Sequence, residues 1–327
     1  MQNARHTPDV VLVADLIADP NDNNFESNRD TEQSERDTVD TLITTIKELG
    51  RGITHYNGPQ KLAENASQHK DDIVLSIYGG RNSRNRMALV PAVCEAFNLN
   101  FIGPDVYGRI IAQDKEVSKR LALDCGLQTP TWRIIRNEQD VMSLDKAAFP
   151  CVVKPLLEGS SIGISQANLV DNSESAARLA QELLASLEQP VLVEEFISGR
   201  ETAFVAIESK GQTHWAYSEI VIGGAPDFFR GRLFDAEEKA NPTPGRTVRN
   251  IDDELDPTDH ENIKGLLRAF GRFGYCRIDG RHADGKFHFL EMTPDAWIDP
   301  KGQFAMAFTE KGWTYSDVID AVLTSTD

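Results

Sequence analysis

The sequence has little of what several broad protein classes require. No apolar stretch approaches the roughly 18 residues of a membrane-spanning helix, and residues 1–9 lack the apolar centre of a secretion signal. The expectation is a cytoplasmic protein with no membrane partner. Cysteine is sparse: Cys94, Cys125, Cys151 and Cys276 are scattered with no CxxC pair, which argues against a disulfide framework or a zinc site. Cys151 sits in the apolar run 149–153 and reads as a small buried hydrophobe. Positive charge is in deficit, with 34 Lys plus Arg against 51 Asp plus Glu and a formal charge of −17. Such a surface repels phosphate backbones, so no nucleic-acid partner is expected, and an anionic ligand must be drawn into a local basic pocket. Neither GxxxxGK[ST] nor GxGxxG follows the first strand, so the P-loop and dinucleotide-binding classes lack their signatures. There is no internal repeat and no low-complexity tract.

What is present is ordinary globular material: 327 residues, 40% apolar and 26% charged, enough for two or three domains. Val10–Val13 and residues 73–78 are continuous apolar runs of the kind buried on both faces of a parallel sheet. Val39, Leu42, Ile43, Ile46 and Leu49 fall at helical spacing before a stop at Gly50. A helix over 91–97 and a short strand from Asn100 complete an α/β unit of about 105 residues. A helix over Lys115–Asp124, strands over 149–155 and 191–196, and an amphipathic helix on Ala176, Leu179, Ala180, Leu183, Leu184 and Leu187 make the middle of the chain α+β. Strands over 202–207 and 215–222 suggest antiparallel pairing. The polar stretch 223–250 is long enough to be a lid. Residues 275–281 and 287–292 read as a hairpin around Asp284-Gly285.

Chemistry-bearing residues gather at the ends of these elements. Lys115 opens its helix after Asp114, and Lys154 ends an apolar strand, where a lone lysine is more often simply solvated. Glu158-Gly159-Ser160-Ser161-Ile162-Gly163 follows, a plain β-turn or a loop whose backbone N–H groups cover phosphate oxygens. The same residues match G-x-S-x-G with Ser161 as a hydrolase nucleophile, but that elbow needs a strand entering and a helix leaving directly. Glu194 and Glu195 end one strand and Glu201 opens the next; these carboxylates either face water or read an adenine and a ribose. Arg277, Asp279 and Glu291 lie on the two arms of the hairpin. Two carboxylates facing each other repel, so their pairing implies a cation, and hard oxygen ligands suit Mg²⁺ with phosphates completing its shell. A two-residue turn would put Asp279 and Glu291 on opposite faces; the expectation is a three-residue loop with Gly285 as a bulge, which puts them on the same face.

Taken in order, Gln113-Asp114-Lys115, Val153-Lys154-Pro155 with the loop to Gly163, Val193-Glu194-Glu195, Arg277-Ile278-Asp279 and Leu290-Glu291 resemble the ATP-grasp ligases, most closely their D-alanine–D-alanine ligase branch. The resemblance runs over nearly the whole chain. It implies a three-domain ATP-grasp architecture of α/β and α+β units: an N-terminal substrate domain (1–112), a central subdomain (113–196) and a C-terminal subdomain (197–327) with the lid at 223–250. ATP would lie between the last two. Lys115, Lys154, Ser160, Ser161 and Lys239 would hold its phosphates, Glu194, Glu195 and Ile197 its adenine, and Glu201 its ribose. Asp279, Glu291 and Thr293 would bind Mg²⁺, while Arg277, with Ser160 and Lys239, would serve catalysis. The implied activity joins a carboxylate to an amine through an acyl phosphate, with amino acids or small peptides as partners and a homodimer as the assembly.

The sequence departs from that branch where substrates are recognised. The family's Glu-x-Asn is Glu291-Met292-Thr293, with Asp295 as a substitute ligand; the tyrosine after the lid lysine is Ala240; the acceptor segment has become Trp297-Ile298-Asp299-Pro300-Lys301. Arg81, Arg84 and Arg86 follow the second apolar strand and read as recognition of a further anion on the substrate, and Arg230 and Arg232 in the lid are further substrate candidates. Glu32, Glu35 and Asp37 would hold a substrate ammonium or form a solvated helix start. The expectation is therefore a ligase for substrates other than two D-alanines. A D-alanine–D-alanine ligase with an altered acceptor pocket, a lactam-forming enzyme and a degenerate ATP-binding regulatory protein are the alternatives.

Overall fold

A computed structural model describes residues 7–16, 34–80, 83–294 and 296–325. Three sheets follow one another along the chain. The first is parallel, in the order β2-β1-β3-β4, from β1 (Val10–Val13), β2 (Ile53–Tyr56), β3 (Ile73–Ser76) and β4 (Asn100–Phe101). Every residue of β1 and β3 is buried, which is why their sequence is continuously apolar. Helix α1 (Arg36–Glu48) turns its apolar stripe onto this sheet and ends as the glycine foretells. Gly50 takes φ +79° and its N–H bonds the Lys47 carbonyl at 2.9 Å. The short α2 (Pro59–Asn65) and α3 (Leu89–Phe97) complete this unit.

Two helices, α4 (Val106–Gln113) and α5 (Lys115–Asp124), follow without a break in packing. Ile111, Ala112, Ala122 and Leu127 share a core with the third sheet, so these helices lie against the C-terminal part of the chain. The second sheet is antiparallel, order β5-β8-β6-β7, from β5 (Trp132–Ile135), β6 (Cys151–Pro155), β7 (Leu169–Val170) and β8 (Val191–Glu195). Helix α6 (Ser173–Leu187) covers one face through Ala176, Ala180 and Leu183.

The third sheet is antiparallel, order β11-β10-β9-β12-β13, from β9 (Arg200–Ser209), β10 (Gln212–Ile222), β11 (Arg246–Asn250), β12 (Tyr275–Ala283) and β13 (Lys286–Thr293). One face is covered by α8 (Pro257–Phe270) together with α4 and α5. On the other, α9 (Gln303–Thr309) and α10 (Tyr315–Leu323) place Phe304, Phe308, Val318 and Val322 in a core that also holds Leu12, Leu75 and Val205. That shared core fastens the first sheet to the third, and burying each such phenylalanine contributes roughly 1.5–3 kcal/mol.

Two expectations are corrected. The hairpin turn has two residues, Asp284-Gly285, both at positive φ (51° and 73°), with Ala283 paired to Lys286. Asp279 and Glu291 nevertheless stand directly opposite each other, because the register shifts between Asp279 and Gly280 and leaves Leu290 as an extra residue on β13. The bulge sits inside the ladder, beside the carboxylates. The stretch 223–250 is not one open loop either: it contains a 3₁₀ turn (Pro226–Phe229), the short helix α7 (Ala236–Ala240) and, in β11, a paired strand. Glu219, fully buried on β10, receives Arg200 at 2.9 Å and Arg249 Nε at 2.6 Å, which pins that strand.

Candidate active site

A cavity of about 590 Å³ is lined by the second and third sheets, the stretch from Leu233 to Val248, and residues of the first unit. That volume lies within the usual range for a ligand cleft. Three lysines reach it: Lys115 at the start of α5, Lys154 near the end of β6, and Lys239 on α7. Asp114 caps α5 by accepting from the Glu116 and Val117 N–H groups, at 3.0 and 3.2 Å. The first side chain of the helix, Lys115, then lies 3.1 Å from Glu291 and donates to the Glu158 carbonyl.

Each buried charge has an opposite neighbour. Lys154 Nζ is 2.5 Å from Glu194 Oε1; burial works against its charge, yet Glu194 and Glu291 hold it protonated above the ordinary lysine value. Burial would likewise neutralise Glu194, but Lys119 and Lys154 hold it below the usual carboxylate range. Arg277 grips Asp279 with Nε–Oδ1 at 2.6 Å and Nη2–Oδ2 at 2.9 Å. Glu291 is desolvated but kept low by Lys115, Lys154 and Lys239. Lys239 is pushed down by burial and by the nearby Arg277. Glu201 is raised by burial, which its ion pair with Arg281 Nε at 3.0 Å only partly offsets. Glu195 accepts from the Thr131 hydroxyl at 3.1 Å, and Ile197 lines the cavity beside it.

The serine loop is latched to residues 233–235. Ser160 and Ser161 take φ of 50° and 60°, a left-handed pair that non-glycine residues seldom adopt. Ser161 donates to the Phe234 carbonyl at 2.8 Å. Gln166 donates to the Leu233 carbonyl and to Asp235, both at 2.8 Å, and accepts from the Leu233 N–H at 3.1 Å. Ser161 thus fastens its loop to Phe234. It is followed by turns and a 3₁₀ segment (Gln166–Asn168) where the hydrolase elbow needs a helix, and no histidine is among the residues lining the cavity.

The expected substrate arginines are not gathered here. Arg86 is buried and bonds Glu158 at 3.0 Å and the Leu157 carbonyl at 3.2 Å, so it holds the serine loop to the first unit. Arg84 is exposed, and Arg230, paired with Asp227 at 3.4 Å, is exposed as well. Arg232 stacks over Phe228 at 5.0 Å. None of these four lines the cavity. Arg81, Glu32 and Asp295 lie outside the described residues. Three cations that sequence reasoning missed matter more. Arg246 lines the cavity and stacks on Phe234 at 5.7 Å. Arg281 lines it with Arg277 and Asp279, a period-two pattern on one strand that was there to be read. Lys119 is buried one helical turn after Lys115.

The donor set suits magnesium. Asp279 and Glu291 offer hard oxygens side by side, with Thr293 opposite Arg277. Among the described residues no third carboxylate, histidine or cysteine joins them, a set that leaves most of the shell to phosphate and water, as Mg²⁺ prefers.

Paired antiparallel sheets around a lysine-lined cleft define the ATP-grasp class. Residues 121–324 match the family model for the D-ala D-ala ligase C-terminus, and the chain belongs to that family. It is 26% identical over 290 residues to the D-alanine–D-alanine ligase of Aquifex aeolicus (strain VF5), covering 88% of this chain and 94% of that one. Its fold matches that of D-alanine–D-alanine ligase from Bacillus anthracis complexed with ATP (TM-score 0.69, 18% identity, 97% of both chains). It also matches VanG D-Ala:D-Ser ligase from Enterococcus faecalis (TM-score 0.68, 15% identity, 98% of this chain and 100% of that one). The protein is an ATP-grasp ligase, an enzyme forming carbon–nitrogen bonds. Among the described residues no helix is long and apolar enough to cross a membrane.

Proposed function

We propose that this enzyme joins the carboxylate of one amino acid or small peptide to the amine of another through an acyl phosphate, and that its substrates are not two D-alanines. The observation carrying the ligase chemistry is the convergence of Lys115, Lys154, Lys239, Arg277, Asp279 and Glu291 on one cavity. The substrate reading rests on other residues of the lining, Ala240, Trp297, Asp299 and Lys301. Asp299 is fixed there by the Thr38 hydroxyl at 2.8 Å and the Lys301 N–H at 2.7 Å. That surface offers an aromatic face and a carboxylate to an acceptor. A homodimer in the cytoplasm belongs to the same proposal.

In the first step a substrate carboxylate oxygen bonds to the γ-phosphorus of ATP as the bond to the β-phosphate oxygen breaks, releasing ADP. Lys115 and Lys154 offset the charge on the transferring group, with Lys239 reaching it from the lid. When bound, magnesium held by Asp279 and Glu291, with the Thr293 hydroxyl beside them, supplies further neutralisation of phosphate oxygens. In the second step the amine, as its free base, attacks the acyl carbon, phosphate leaves with the electron pair of the acyl C–O bond, and the surplus proton on nitrogen passes to the departing phosphate. Arg277 stabilises the charge that develops on the acyl oxygen. Acyl phosphates hydrolyse, so water must be kept out; the bonds from Ser161 and Gln166 to residues 233–235 close that side.

The test is phosphate release from Mg²⁺-ATP across a panel of amino acids and dipeptides that includes D-alanine, with Lys154→Ala as control. Release that needs a particular acid–amine pair other than D-alanine, and vanishes in the variant, supports the proposal. Release with D-alanine alone restores the ordinary family substrate despite the altered wall. Nucleotide binding with no release across the panel favours a regulatory role.

A further inference from the structure

The cavity accounts for three lysines but not for the one a helical turn beyond Lys115. Lys119 is fully buried and is not among the residues lining the cavity. A buried ammonium is tolerated only when paired and hydrogen-bonded, and here the partners are specific. Its Nζ is 2.7 Å from Glu194 Oε2, while the other oxygen of that carboxylate is the one that meets Lys154. Lys119 also donates to the Thr129 hydroxyl at 2.9 Å, and that hydroxyl donates to the Phe289 carbonyl at 2.8 Å. Phe289 lies two residues before Glu291 on β13. The Trp132 ring closes the remaining side, 5.8 Å from the ammonium. One side chain therefore ties α5 to β8 and, through Thr129, to the strand carrying Glu291.

The charge count gives this arrangement a consequence for the site. Lys154 and Glu194 alone would form a neutral pair, and the field of Lys154 in the cavity would be largely cancelled. Two ammoniums on one carboxylate leave a net positive charge, and only Lys154 of the two opens onto the cavity. We infer that Lys119 is a positioning residue for the phosphate end of the nucleotide: it takes up one oxygen of Glu194 and part of its charge, so that the Lys154 ammonium remains available to an anion. This rests on reading Lys154 as a phosphate ligand. The charged groups facing Lys119 are Glu194 on β8, Lys154 on β6 and Glu291 on β13. Burial lowers its pKa to about 8, with Glu194 opposing that fall and Lys154 adding to it. The device therefore weakens as pH rises through that value.

Calorimetry with ATP and with adenosine, on the full chain with Mg²⁺ present, tests the inference. Lys119→Met is expected to weaken ATP at least tenfold and adenosine less than twofold, since only the phosphates feel Lys154. Adding Glu194→Gln to that variant should restore most of the preference for ATP over adenosine, because a neutral amide no longer cancels Lys154, and any change at the adenine affects both ligands alike. Equal losses for ATP and adenosine, or a double variant no better than the single one, would overturn it. If Lys119→Met does not fold, Lys119→Gln, which keeps a donor for the Thr129 hydroxyl but carries no charge, is measured in its place with the same expected and refuting results. A wild-type protein that binds no ATP refutes the phosphate-site reading itself; normal ATP binding by Lys119→Met refutes only the role of Lys119.

Discussion

Arg281 is the cation that holds residues 229–232 in place, and replacing it with methionine should show this. The residue is 3% exposed and donates to the carbonyls of Gly199 (3.0 Å), Phe229 (2.6 Å) and Arg232 (2.7 Å) while pairing with Glu201 and lying 5.1 Å from the Phe196 ring. Arg281→Met keeps the apolar stem and removes every donor. Each orphaned acceptor costs about 1–3 kcal/mol, the low end applying to lid carbonyls that can swing out to water. Breaking a buried ion pair costs about 3–5 kcal/mol. Because these losses overlap, about 4 kcal/mol is expected in all, or roughly 6 °C in melting midpoint for a chain of this length. Burial already raises the Glu201 pKa, and losing Arg281 raises it further. A carboxyl whose folded pKa lies above its unfolded value adds stability at low pH and loses it as pH rises. The gap between variant and wild type should therefore be largest near pH 8 and shrink toward pH 4.5. Trypsin should also cut at Arg230 and Arg232 faster in the variant. An equal gap at both pH values, with unchanged lid cleavage, would refute Arg281 as the anchor.

Three further outcomes are expected. Asp279→Asn removes the carboxylate that Arg277 holds with two bonds; kcat should fall about 10²–10³-fold with a higher Mg²⁺ requirement in a metal titration, and the melting midpoint should fall too, because the Arg277 guanidinium loses its charged partner. Gly280→Ala puts a Cβ 2.3 Å from the Phe287 ring and 2.6 Å from the His288 carbonyl oxygen, so stability should drop about 1–3 kcal/mol or more in urea. Because Gly280 borders the bulge that brings Asp279 opposite Glu291, Mg²⁺ affinity should fall with it. Gln166→Ala removes three bonds to the lid, about 2 kcal/mol of closure. Global melting should stay within about 2 °C while ATP hydrolysed per product formed rises, a ratio read by assaying both products together.

Much of the fold was legible because burial writes itself into composition. β1 and β3 are apolar throughout since both faces are covered, and α6 shows its stripe since one face packs on β6 and β8. The elements that escaped are those whose side chains meet solvent. β2 reads Ile-Thr-His-Tyr on the edge of its sheet, with no residue fully buried. β11 has only Val248 buried and borrows its stability from ladder bonds to β10 and from Glu219. The hairpin is instructive in another way. The expectation that Asp279 and Glu291 share a face was met, but through a bulge at Leu290 that no turn residue announces.

Within the site, the sequence displayed the charges in order but not their partners, and partnership decides what each one does. Arg86 looked like Arg84, a strand-end arginine, until Glu158 took it into the interior. Lys119 drew no notice in the sequence, and only the fold shows Glu194 lying between it and Lys154. A chain with a formal charge of −17 can offer a triphosphate a favourable pocket only by concentrating its cations. Buried cations in turn survive only beside carboxylates. Lys115 with Glu291, Lys154 with Glu194 and Arg277 with Asp279 meet both conditions at once. The two carboxylates that a magnesium ion would take are also the ones now holding Lys115 and Arg277. Metal and nucleotide should therefore bind with mutual reinforcement, each freeing a partner for the other.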